Sequence, residues 1–180
     1  MDIREADKFD IQEILRLIED SYTPYKDSIK DIDIPEYSYD EIQALLAEPQ
    51  SDIWVTVENG KIVGMAAGTE FGPCAYHLKM MFVSGESQNR GVGSALLELF
   101  ERRGIERHYS LLTANYLDWA KWSRLFYKKH GYREYVTEDE RTHPDIKKQA
   151  DFLRKIGRLN NGEKHLIWKK NDESQLEYNG

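Results

Sequence analysis

Residues 78–101 constrain this chain more than any other stretch. An apolar run, Leu78-Lys79-Met80-Met81-Phe82-Val83, leads to Gln88-Asn89-Arg90-Gly91-Val92-Gly93-Ser94, and a helical pattern follows from Ala95 to Glu101. Strand, glycine-rich turn and helix in that order aim backbone N–H groups and a helix N-terminus at an anion. Gly91 and Gly93 permit positive φ and close backbone approach, and Arg90 adds a fixed cation. Ser94 is placed to cap the first turn or to donate to a phosphate oxygen. Taken alone, the same residues also describe a plain tight bend between a strand and a helix. The turn lacks the spacing and Lys of a P-loop and the third Gly of the dinucleotide fingerprint, which disfavours an ATP or NAD site.

The rest of the chain narrows the choice. At 180 residues it is long enough for one domain with a real core, expected over 1–170, followed by a polar tail at 171–180. No run approaches the roughly 20 apolar residues of a membrane helix. The start, Met1-Asp2-Ile3-Arg4-Glu5, has no apolar signal core. The single cysteine, Cys74, excludes an intrachain disulfide and fits a reducing cytoplasm. It is a nucleophile in principle and a small loop or strand residue by default. A net charge of −7 argues against nucleic acid as the main partner and suits a cationic substrate such as an amine.

Read in order, the chain predicts a first strand at 3–6. Asp10 with Glu13 then forms a capping box, opening a helix whose apolar face is Ile11, Ile14, Leu15, Ile18 and Tyr22 and which Pro24 ends. Residues 25–37 are irregular and acidic (Asp27, Asp31, Asp33, Glu36), with Tyr25, Tyr37 and Tyr39 interleaved. They form either a solvated loop or an acidic, aromatic-lined mouth for a cation. Ser38 and Glu41 make a second capping box, for a helix to Glu48. Strands are expected at 52–57 and 62–69 around an Asn59-Gly60 turn, and at 75–83 after the Gly72-Pro73 break. Val92, Ala95, Leu96, Leu99 and Phe100 stripe the next helix, with Gly104 as its stop. A strand at 109–114 precedes a helix at 118–129 that carries Trp119, Trp122, Leu125 and Phe126 on one side and Gly131 as its cap. Strands follow at 132–136 and 164–170. Between them, Pro144 starts a helix through Ile146, Ala150, Leu153 and Ile156, stopped by Gly157.

This element order, with Gln-x-x-Gly-x-Gly after the fourth strand, resembles the GNAT superfamily of N-acetyltransferases. A second block, Phe126-Tyr127-Lys128-Lys129-His130-Gly131-Tyr132, is similar to the family's helix ending in an aromatic-Tyr pair, three residues, then Gly and an aromatic. Two departures are visible. The family's Asn, seven residues before the Tyr, is Ala120 here, and Asn115 lies twelve before it. The segment 137–162 between the last two strands is longer than the family minimum.

The resemblance implies an α/β (α+β) fold, with a mixed central sheet of about six to seven strands flanked by helices and a helical insert between the last two strands. It implies acetyl-CoA as co-substrate and no metal. The pyrophosphate is expected on Gln88, Asn89, Arg90, Gly91, Val92, Gly93 and Ser94, and the pantetheine arm along Met81, Phe82 and Val83. Asn115 and Phe126 are further cofactor candidates. The expected reaction is direct attack of a neutral primary amine, of a small molecule or peptide, on the thioester. By its motif position, Tyr127 is expected to protonate or hydrogen-bond the leaving thiolate; the other reading is a core tyrosine on an amphipathic helix. For the base, the position eleven before Gln88 holds His77, with Glu70 as competitor and water as a third possibility. His77 is also simply a hydrogen-bonded strand histidine. Expected partners are the amine substrate and a second copy in a homodimer, without nucleic acid or membrane, in the cytoplasm. The other reading of the same fold is a non-catalytic acyl-CoA sensor or interaction module.

Overall fold

Asn59 and Gly60 adopt φ of +50° and +76°, the left-handed pair that reverses a tight hairpin. They join two of the strands predicted around them. The computed structural model describes residues 1–30, 34–159 and 164–171. Over these the elements are β1 (Asp2–Glu5), α1 (Ile11–Ser21), α2 (Tyr39–Ala47), β2 (Ser51–Glu58), β3 (Lys61–Phe71), β4 (Ala75–Val83), α3 (Val92–Glu106), β5 (Leu111–Leu117), α4 (Lys121–Lys129), β6 (Arg133–Glu134), α5 (Asp139–Thr142), α6 (Pro144–Lys155) and β7 (Lys164–Lys170). The strands form one seven-stranded sheet in the order β1-β2-β3-β4-β5-β7-β6. β1 pairs antiparallel with β2 and β2 with β3; β5 and β6 pair antiparallel with β7. β4 and β5 run parallel, with His77 opposite Thr113. This is a mixed α/β fold with a helical insert, α5 and α6, between the last two strands in sequence. No helix of the described residues is long and apolar enough to cross a membrane.

By contacts the chain divides into two units, one of Met1–Thr69 with Lys79–Phe100, the other of Glu70–Leu78 with the chain from Glu101 on. In the first, Ile11, Ile14, Leu17 and Ile18 of α1 and Ile42 and Leu45 of α2 bury against Ile53, Val55, Met65 and Met80. The Ser38–Glu41 capping box forms in both directions. The one predicted at Asp10 does not. Asp10 sits in helical backbone geometry with no side-chain cap bond, because its carboxylate is taken by both terminal nitrogens of Arg4 at 2.7 Å and by the N–H of Asp7 at 2.8 Å. That pairing with Arg4 holds the Asp10 carboxyl below the ordinary carboxylate range. Glu13 reaches instead to the N–H of Ile62, at 2.8 Å.

In the second unit Cys74, Ala75, Leu111, Leu166 and Trp168 meet Ile146, Ala150 and Leu153 of α6. Cys74 is buried there as a core side chain. The insert is pinned at Asp139. This nearly inaccessible carboxylate pairs with Arg133 and accepts from the N–H of Val136 and the indole N–H of Trp168. Gly104 does not stop α3, which continues to Glu106. A Cβ at Gly104 would stand 2.4 Å from Leu112 Cδ2 and 3.3 Å from Tyr76 Cδ1. The glycine therefore serves close packing of the helix on the strands.

Candidate active site

The first unit carries the glycine turn. Asn89 and Gly91 have φ of +61° and +88°, so the chain alternates hand just before α3 begins at Val92. The first helical bond runs from the N–H of Ala95 to the carbonyl of Gly91. Helix geometry leaves the N–H groups of Val92 and Gly93 without intrahelical acceptors, and they carry the positive end of the α3 dipole. Nothing lies within 4 Å of a Cβ built on Gly91, so the turn faces open space. Arg90 is exposed, its guanidinium 3.5 Å from Glu58. An exposed pair at that separation is weak and is readily exchanged for a phosphate. The turn suits a pyrophosphate: donors from backbone, a dipole, a cation and room.

The Gln88 side chain has a different task. Its Oε1 accepts from the Tyr25 hydroxyl at 2.8 Å, and its Nε2 donates to the carbonyls of Ser21 at 2.8 Å and Val83 at 3.1 Å. The amide thus ties the turn to the end of α1, the Thr23–Tyr25 helical turn and the end of β4. Phe82 faces inward, edge-on to Tyr22 and Tyr37 at 6.1 and 6.0 Å. Tyr25 and Tyr37, offered by sequence as the lining of a cation mouth, are directed to Gln88 and Phe82. Asp31 and Asp33 of that mouth lie outside the described residues.

The second unit carries the ionisable candidates. The parallel register sets His77 of β4 beside Thr113 of β5, and Asn115, two residues on, shares the face of Thr113. His77 Nδ1 is 2.9 Å from Thr113 Oγ1, and Nε2 is 3.4 Å from Asn115 Nδ2. Thr113 is fully buried and His77 nearly so, whereas Asn115 is exposed. Phe71 lies against the imidazole at 5.3 Å, and Phe152 of α6 stands edge-on to Phe71 at 5.5 Å. Glu70 is held by Arg107 at 3.1 Å. Tyr127 is the one buried residue of α4. Burial pushes its phenol well above the ordinary phenolic range. Leu125, on the stripe that sequence patterning marks as apolar, is 67% exposed. The turn after α4 closes as predicted, Gly131 at φ +85°, and sets Tyr132 5.7 Å from Tyr127. Burial and the neighbouring Glu101 carboxylate push the Tyr132 phenol far up.

The structure thus brings His77 and Asn115 together and gives Glu70 a different partner. Sequence reasoning missed Thr113; its signal was a hydroxyl in the middle of the apolar run Leu111-Leu112-Thr113-Ala114. It also placed Asn115 at the end of a shorter strand. β5 runs to Leu117, which puts Asn115 within the strand and α4 only after Ala120.

The model of the acetyltransferase (GNAT) domain matches residues 49–134. Comparison with curated protein sequences finds no match. Among solved structures, a GNAT-family acetyltransferase from Staphylococcus aureus Mu50 superposes with a TM-score of 0.71 at 17% identity, over 95% of this chain and 99% of that one. PaiA N-acetyltransferase from Thermoplasma acidophilum, in complex with coenzyme A, gives 0.71 at 14% identity, over 94% and 98%. The ribosomal-protein-S18-alanine N-acetyltransferase of Escherichia coli gives 0.66 at 13%, over 95% and 94%. The chain has the GNAT fold, and residues 49–134 match the model of the acetyltransferase (GNAT) domain.

Proposed function

We propose that this protein is an acetyl-CoA-dependent N-acetyltransferase acting on a primary amine of a small molecule or peptide. The observation that carries the proposal is the left-handed, outward-facing turn at Asn89–Gly91 opening α3 inside a GNAT domain. Backbone donors of Arg90 to Ser94 hold the pyrophosphate, with Arg90 as counter-charge, and Met81 to Val83 and Phe126 accompany the pantetheine arm. Gln88 contributes by bracing the turn. Acetyl-CoA supplies the activated acetyl group.

A primary amine near pKa 10 is mostly protonated at neutral pH, so it must lose one proton to become a nucleophile and a second as the amide forms. His77 suits the base role as an imidazole with polar neighbours at both ring nitrogens. Glu70 suits it less, because Arg107 would have to release it. Tyr127 keeps its proton at all working pH values, as its raised phenol requires, and donates a hydrogen bond to the leaving sulfur. Peptide amino termini belong in the acceptor panel because the name of the Escherichia coli relative gives a ribosomal-protein alanine as its acceptor.

The test is direct. Acetyl-CoA should raise the melting temperature, and thiol should appear when a panel of polyamines, amino acids, aminoglycosides and peptides is added. Stabilisation without thiol release makes the protein an acyl-CoA-binding module; no stabilisation at millimolar acetyl-CoA sinks the proposal.

A further inference from the structure

We infer that the Asn115 side chain marks where the acceptor's amine binds: it stands on His77 Nε2 as a stand-in for the substrate nitrogen and, with Thr113, selects the tautomer that accepts a proton. The inference rests on the acetyl transfer proposed above.

An amide nitrogen only donates, so Asn115 Nδ2 beside Nε2 makes Nε2 the lone-pair nitrogen. The ring proton is then on Nδ1, donated to Thr113 Oγ1 at 2.9 Å. The two ends of the imidazole differ. The Nδ1 end is locked against a fully buried threonine. The Nε2 end meets an exposed side chain across 3.4 Å, a long bond that is cheaply exchanged. A neutral amine offers the same kind of N–H donor as the amide it displaces. As the amine lone pair forms the new C–N bond, its N–H proton passes to Nε2. The C–S electron pair leaves on sulfur, which takes its proton from solvent while Tyr127 donates it a hydrogen bond. The imidazolium keeps its Nδ1–H on Thr113. The wall beside it is aromatic, Phe71 backed by Phe152. Among the charged groups on neighbouring elements, Arg158 stands 5.8 Å from the Phe71 centroid, and Lys79, farther along β4, pairs with Glu48 at 3.5 Å. Neither changes in the variants below.

Nitrogen NMR of the full chain reads the tautomer without any turnover. His77 should show Nδ1 protonated and Nε2 bare in the free protein, and the reverse pattern overturns the inference. Asn115→Asp places a carboxylate at Nε2 and should raise the His77 titration midpoint by about one pH unit or more; an unmoved midpoint overturns it. 2,2,2-Trifluoroethylamine, a weakly basic amine that is largely uncharged at slightly alkaline pH, should shift the His77 Nε2 and Asn115 side-chain resonances together, and a probe that moves neither also overturns it. The underlying reading fails separately: His77→Gln with undiminished thiol release removes the base, whatever the tautomer.

Discussion

The turn at Gln88–Ser94 and the cluster around His77 are built by different means. The turn works with main-chain groups. Its donors are backbone N–H, its shape comes from two positive φ values, and its side chains are either braces, as in Gln88, or exposed, as in Arg90. The His77 cluster is made of side chains. Its imidazole, hydroxyl and amide come from two strands, and the His77–Thr113 contact joins residues 36 apart in sequence. A main-chain site tolerates most residue types provided the glycines stay. A side-chain site is remade by one substitution. On the function proposed above, the comparison separates donor from acceptor: the first would be held by a feature of backbone, the second by side chains that single substitutions can remake.

The comparison is broken most severely at Gly91. Gly91→Glu has room for its side chain, but it strains a residue at φ +88° and faces the pyrophosphate with a carboxylate. Acetyl-CoA affinity should fall at least 100-fold, about 3 kcal/mol, so thermal stabilisation by acetyl-CoA disappears while the fold persists. A variant that still shows the full shift removes the turn as the donor site. Next, Tyr127→Phe should lower kcat by about 10- to 100-fold with unchanged acetyl-CoA affinity by calorimetry. An unchanged kcat assigns the leaving group to solvent. Gln88→Ala removes three side-chain bonds, each worth about 1 kcal/mol net, and should lower stability by about 1–3 kcal/mol in urea titrations. It should also weaken acetyl-CoA severalfold without moving the amine KM. The smallest effect is the control. Arg4→Ala, remote in role from both regions, removes the partner that lowers the Asp10 carboxyl. A depressed carboxyl contributes stability above its ordinary range that is lost as pH falls through its folded value. The variant should be about 0.5–1 kcal/mol less stable near pH 7 and should lose less on acidification, read from melting temperatures. Donor and acceptor kinetics should stay as they were.

What was legible in the sequence was whatever short-range chemistry decides. Ser38 and Glu41 cap α2 as read, Gly131 ends α4 in the left-handed region, and β7 spans Lys164–Lys170 as read. Where a distant group competes, the local reading gives way. Asp10 had two possible partners, its own helix and Arg4, and the guanidinium is the stronger. Gly104 looked like a helix stop because the residues it makes room for, Leu112 and Tyr76, lie on other elements. Leu125 patterned onto the apolar side of its helix and is exposed. The same logic divides the candidate site. Glycines announce a backbone turn from within one stretch, while the Asn115–His77 contact exists only once β4 and β5 pair in parallel.

The Gln88 amide has a kinetic consequence. By joining three separate segments at the mouth of the turn, it leaves little for a ligand to organise. Fixing one residue's backbone costs about 1–2 kcal/mol, so a floppy turn of this length would subtract several kcal/mol from every binding event and insert a closing step before capture. With the brace in place, the observed association rate should rise linearly with acetyl-CoA concentration, limited by encounter and by salt-sensitive attraction of the phosphates. Cutting the brace should bend that line into a plateau.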